Sequence, residues 1–253
     1  MRTRIGLTAI LLMTAGLHAQ QIPPGTLLPT MLNNTLNSDK TKPGEEVSAK
    51  LMQDVPLPDG GKIKRGSKVL GHVVTVTPAS AGTPSHLVVQ FDRIELDKQE
   101  VPVPTSLRAL ASMRAVSTAQ QPVNANSGFG TSSWDWNMVQ VGGQAVFNGQ
   151  RIVKSQAGEV VGKVVEPGAV LAVPMANPTR GCPGASDNNA EQAFWIFSTD
   201  ACGVYGYKFL TFDRSGGSTS GQINLQSPKS ITVRGGSGWL LRVTSVPAPP
   251  SGH

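Results

Sequence analysis

The chain has 253 residues, of which 28 are Gly and 19 Pro, and only 15% are charged. So much helix-breaking residue and so little charge exclude a protein built of long amphipathic helices, while a 39% hydrophobic fraction still allows a packed core. The formal net charge of +6 falls to +4 if Arg2 and Arg4 are removed, an ordinary excess for solubility.

Arg2 and Arg4 precede an apolar run over residues 5–17, and Leu17-His18-Ala19 offers a small residue before a cleavage point near Gln20. This is the layout of a secretory signal peptide, predicted to span 1–19. Its apolar run is too short for a membrane span, and no later stretch approaches 18 apolar residues, so no transmembrane helix is expected in the mature chain. Export to the periplasm, outer envelope or medium follows.

The first module is expected over 20–113. Pro23-Pro24-Gly25 is a turn, and apolar residues recur in strand fashion to Leu36. Residues 47–55 read as a strand with Val47, Ala49, Leu51 and Gln53 on one face. Pro58-Asp59-Gly60-Gly61 makes a tight turn, and the chain returns through Ile63 and 69–76. Lys62, Lys64, Arg65 and Lys68 belong to this hairpin, with Ile63 and Val69 inward; no aromatic lies beside them, so nucleic-acid binding is not expected. In 86–96, Leu87, Val89 and Phe91 share one face, and Ile94 and Leu96 the other, which predicts a bulge near Asp92 and Arg93. Val101, Val103, Thr105, Leu107, Ala109, Ala111 and Met113 alternate at period two; a helix over 105–115 is the rival reading.

Residues 114–138, rich in Ser, Asn, Gln and Gly, read as a linker or long loop. Trp134 and Trp136 within it either cap a barrel end or form an exposed contact patch. A second β-rich module, a sandwich or barrel-like unit, is expected over 139–246. Its candidate strands are 159–165, 168–173, 192–198, 204–212, 221–225, 230–233 and 239–244, followed by a disordered tail at 247–253. Cys182 and Cys202 are the two cysteines; in an exported chain they are predicted to form a disulfide stapling this module. Closing a loop of about 20 residues is worth roughly 3 kcal/mol.

Candidate chemistry is sparse. His72 and His86 on adjacent strands, with Asp92, would be a minimal metal site, but no ligand spacing is present. Ser67 lacks a Gly-x-Ser-x-Gly elbow, and Gly235-Gly236-Ser237-Gly238 precedes a strand rather than a phosphate-binding helix. No catalytic residue, metal or cofactor is predicted. Phe194, Trp195, Phe197, Tyr205, Tyr207, Phe209 and Phe212 fall on two neighbouring candidate strands, with Phe194 and Ile196 on one face of the first and Trp195 and Phe197 on the other. Packed faces of a sandwich explain them, and a contact surface of Trp134, Trp136, Trp195, Tyr205 and Tyr207 is the functional alternative.

One resemblance extends this reading. Gly25-Thr26, Ser38-Asp39, Pro43-Gly44, Gly60, Ile63-Lys64-Arg65-Gly66-Ser67-Lys68-Val69-Leu70-Gly71 and Phe91-Asp92-Arg93-Ile94 make residues 25–103 similar to the C-terminal β-barrel of TrbI-type scaffold proteins of conjugation and type IV secretion systems. The resemblance implies a small barrel and a place in an envelope-spanning complex. Residues 201–207 and 235–243 resemble C-terminal regions of exported proteins of environmental bacteria, which implies no activity. The expectation is an all-β, non-enzymatic envelope protein: a TrbI-like barrel followed by a disulfide-stapled β module, with a structural or protein-interaction role. Its partners would be envelope proteins or further copies of itself. The alternative is an extracellular module binding glycan or peptide through the second-half aromatics.

Overall fold

The computed structural model describes residues 22–123, 132–175, 190–213 and 221–245. The signal-like segment, Cys182 and the tail lie outside them. The fold is all-β, with one short α-helix among the described residues.

In chain order the first strands are β1 (Leu27–Leu32), β2 (Leu36–Asn37), β3 (Glu46–Leu51), β4 (Val55–Pro56), β5 (Lys62–Ile63), β6 (Lys68–Thr77), β7 (Ser85–Leu96), β8 (Gln99–Pro102) and β9 (Thr105–Ala111), then helix α1 (Met113–Ala119). Six strands follow: β10 (Asn137–Val139), β11 (Ala145–Phe147), β12 (Ile152–Lys154), β13 (Val160–Glu166), β14 (Ala169–Ala172) and β15 (Gln192–Ala193). The last are β16 (Gly203–Tyr205), β17 (Thr211–Phe212), β18 (Gln222–Ser227), β19 (Thr232–Val233) and β20 (Gly238–Val243).

The larger sheet has the order β16-β9-β20-β1-β3-β6-β7-β18-β17, with β8 also paired to β7. All its pairs are antiparallel except β16 on β9. The long β7 changes partner along its length: residues 85–90 face β18 and residues 93–96 face β8. At the changeover Leu70 pairs with Arg93 and Gly71 with Phe91, so Asp92 is the extra residue of a β-bulge. This is the bulge that the parity switch predicts. Its tightness demands glycine at 71, where an added Cβ would overlap the Gln90 carbonyl oxygen. The bulge also receives the start of β9: Val103 N–H donates to the Asp92 carbonyl at 2.7 Å, and Thr105 Oγ1 to the Phe91 carbonyl at 2.9 Å. Strands β9, β20, β1, β3, β6 and β7 thereby close on one another in barrel fashion.

Alternation fills the interior. Val47, Ala49 and Leu51 of β3, Leu87, Val89 and Phe91 of β7, and Trp239, Leu241 and Val243 of β20 share one core cluster. Phe91 and Trp239 meet edge to face, ring centres 5.5 Å apart. The hairpin side chains Ile63 and Val69 are buried as expected, and the turn at Gly60 (φ +83°) is tied by the Gly61 N–H to Asp59 Oδ1.

The second sheet is a meander, β10-β11-β12-β13-β14-β15. Its core of Val146, Val153, Val164, Val170 and the run Phe194–Phe197 packs on the outer faces of β1, β9 and β20 through Leu27, Ala109, Ala111 and Leu240. Gln53, just past β3, joins the sheets. Its Oε1 accepts from Val170 N–H and Trp195 N–H, and its Nε2 donates to the Val170 carbonyl.

Four expectations are corrected here. The strands do not divide at residue 139: segment 137–193 makes the second sheet, while β16, β17, β18 and β20 return to the first. The cause is that β20 is apolar on both faces and sits between β1 and β9 as a central strand. The expected linker 114–138 contains most of α1 and the start of β10. The alternation from Val101 to Met113 breaks at Arg108, an extra residue in the β9–β20 register; Leu107 enters the barrel whereas Ala109 and Ala111 face the second core, and Met113 opens α1. The strand predicted over 192–198 ends at Ala193. Phe197 N–H then bonds the Phe194 carbonyl, and Trp195 adopts φ +49°. Phe194, Trp195, Ile196 and Phe197 are all buried, so their expected division between two faces does not occur.

Candidate functional site

The bulge at Arg108 carries a buried cation. The guanidinium donates to the carbonyls of Ala201 and Thr199, each at 3.1 Å, and burial pushes its pKa down to about 10. These bonds hold the segment leading to β16, whose parallel pairing with β9 brings Tyr205 beside the start of α1. Ser112 caps that helix, its Oγ accepting from Ala115 N–H, while its own N–H donates to the Tyr205 carbonyl at 2.9 Å. Val116 and Ala119 pin α1 to the second core.

Between α1, the Tyr205-Gly206 turn and the segment after β10 lies a groove of about 640 Å³. This volume falls in the range of small-ligand and peptide sites. Its walls include Ala115, Ala119, Pro122, Val123, Val139 and Val141. Among the described residues lining it, Arg114 is the one charged side chain, and it makes no ion pair with any described residue.

The floor is an open sheet edge. Gln140 N–H turns inward to the Gln144 carbonyl of the β10–β11 hairpin, so residues of the other parity present their backbone outward. The Asn137 carbonyl accepts from Val123 N–H, and Val141 N–H donates to the Ile196 carbonyl. Val139, between them and 41% exposed, directs its N–H and carbonyl into the groove, where no described residue pairs with them. The wall behind is hydrogen-bonded: Gln140 Nε2 donates to the carbonyls of Trp195 and Phe197, and Ser198 Oγ to that of Val141.

The five aromatics predicted as a contact surface do not assemble into one. Trp195 is 3% exposed and edge to face with Phe197, so it is a core residue. Trp134 stands on a turn (Ser133–Asp135) with the Arg151 guanidinium 4.6 Å from its ring centre, and packs on the second core; Trp136 is half-buried nearby. Tyr207 is half-buried against Ser237, hydroxyl oxygens 3.0 Å apart, and burial raises its pKa. Tyr205 is the member that reaches the groove, its hydroxyl accepting from Cys202 N–H at 3.1 Å.

Cys202 is fully buried; Cys182 lies outside the described residues, so the predicted disulfide is carried forward as a proposal. His72 Nδ1 is 3.5 Å from Asp92 Oδ2, but His86 pairs with Thr77, well along β6, and no group of three metal-ligating side chains gathers among the described residues. The basic hairpin meets acids: Lys62 bonds Asp54, Arg65 approaches Glu166 at 3.8 Å, and Lys68 lies 3.3 Å from Glu95. The Asp54 carboxylate is held below its usual range by the Arg65 backbone N–H and then by Lys62.

The residues that make the groove, Arg114, Ala115 and Val139, were not singled out in the sequence. The alternation of Met138, Gln140 and Val139, Val141 is a strand signal, but the polar run before it masks the edge it creates. No protein-family model and no curated protein matches the chain.

Proposed function

We propose that this is an exported, non-enzymatic protein of the cell envelope that works by binding other proteins. The observation that carries the reading is the groove beside α1: an apolar slot floored by an open strand edge, with one cation, Arg114, and no acid, histidine or cysteine among its described lining residues. Such a surface suits recognition of an extended polypeptide through main-chain hydrogen bonds. The signal-like residues 1–19 support export, and the likeness of residues 25–103 to TrbI-type barrels supports a place in an envelope assembly. In the exported compartment Cys182 and Cys202 are proposed to form the stapling disulfide. The burial of Trp195 argues against the glycan platform, and the groove favours a peptide over a sugar.

The test is crosslinking and affinity capture of the tagged mature protein from its native envelope, with mass spectrometry of what accompanies it. Recovery of envelope-machine subunits, lost when the groove is blocked by Ala115→Trp in a protein with unchanged circular dichroism, is the expected result. Recovery of a clean monomer, or of partners indifferent to the blocked groove, overturns the reading.

A further inference from the structure

We propose that the groove beside α1 binds the C-terminal end of a partner polypeptide, as a short added strand on Val139 with the terminal carboxylate directed to Arg114. The inference deepens the interaction reading above and rests on it.

Main-chain recognition follows from parity. Asn137, Val139 and Val141 share the outward edge of the strand, and the first and last are already paired, with Val123 and Ile196. Of these three, Val139 alone has both its N–H and its carbonyl without a described partner. One residue of a partner strand can satisfy both, and neighbouring partner residues would then sit over the apolar walls at Ala115, Ala119 and Val141.

A chain end, rather than a strand passing through, follows from closure of the edge. The stretch from Asn137 to Val141, β10 and the two residues after it, spans at most about 13 Å between its first and last Cα. Val123 stands at one limit and the Ile196-Phe197 segment at the other, so a partner strand cannot continue along β10 in either direction. A terminus needs only one way in.

The charge follows from Arg114. It is exposed, lies at the groove, and has no described acidic partner, whereas the hairpin cations Lys62, Arg65 and Lys68 each face a carboxylate. A guanidinium presented to an apolar slot binds a carboxylate bidentately, which a carboxamide cannot replace.

The experiment uses the whole mature chain. The probe is a pool of N-terminally biotinylated hexapeptides, randomised among Ala, Val, Leu, Ser and Thr over the last four positions, made as free acids and as C-terminal amides. Saturable binding of the free acids, weaker by about tenfold for the amides, is expected, since a charge-assisted hydrogen bond is worth about one such factor. Arg114→Glu should lower free-acid binding by about tenfold or more and leave the melting temperature unchanged, because the residue is exposed. Val139→Pro removes the N–H and should abolish binding; Arg114→Glu keeps the test decisive if the proline variant does not fold. Equal binding of acids and amides, binding indifferent to Arg114→Glu, or no saturable binding overturns the proposal. A companion set of the amides with one internal position fixed as aspartate also overturns it if it binds as tightly as the free acids, because the source of the carboxylate is then a side chain. Envelope partners that persist in capture while peptides fail sink this inference alone; loss of capture itself sinks the interaction reading.

Discussion

A single hydroxyl ties the turn after β16 to the turn before β20. The Tyr207 hydroxyl shares a hydrogen bond with buried Ser237, and burial raises its pKa above the ordinary 10.0. Because the folded value is raised, the neutral phenol is favoured by folding; that stability is fully present below about pH 10 and is lost as pH rises through the folded value. Tyr207→Phe should cost about 0.5–1.5 kcal/mol near neutrality, from the lost hydrogen bond. Its stability should then decline less steeply above pH 10 than that of the parent. Urea melts of both proteins from pH 7 to 11 would check this, and parallel pH profiles would refute it. Gly71 shows the same dependence on one residue: only a missing Cβ lets the Gln90 carbonyl pass at the bulge.

At the scale of elements, the two sheets are joined by an amide as well as by apolar packing. Gln53 is 1% exposed and satisfies the N–H groups of Val170 and Trp195. Gln53→Leu keeps the volume but strands both buried donors, at about 1–3 kcal/mol each. A fall of about 2–6 kcal/mol follows, readable as a lower midpoint in chemical denaturation with an unchanged slope if two-state behaviour holds. A loss under 1 kcal/mol would mean that apolar contact alone holds the sheets. The alternation in residues 47–53 marks Gln53 as inward, yet period two cannot tell a core position from a junction between sheets, since both are buried. The Asp92 bulge was legible because it reverses the apolar parity within one strand. The Arg108 bulge was not, because the small Ala109 and Ala111 after it continue the odd-numbered alternation and read equally well on either face.

For the whole molecule, the decisive strand is the last described one. β20 lies between β1 and β9, more than 100 residues from either in sequence, and contributes Trp239, Leu241 and Val243 to the barrel core. Residues 22–113 alone would lack the strand that joins β1 to β9, and would expose the Phe91 face that Trp239 covers. Expressed as a fragment, they should show no cooperative thermal transition, whereas the whole chain should melt cooperatively. A cooperative melt of the fragment would restore the self-sufficient first module that the sequence suggests. Pairings this distant in sequence also predict slow folding relative to proteins of local contacts.

The alternating runs and glycine turns suffice for the all-β class, the basic hairpin and the Asp92 bulge, because local backbone preference and burial of one face decide them. Which strands become neighbours depends on long-range pairing, which leaves no local mark: β20 reads the same as an edge or a centre until its two partners are in place. The aromatic run Phe194–Phe197 likewise became core only when the second sheet closed over it. The groove is the plainest case. No residue in it carries a motif, and its open edge exists because Val123 and Ile196 pair on either side of Val139, a juxtaposition that only the folded chain creates.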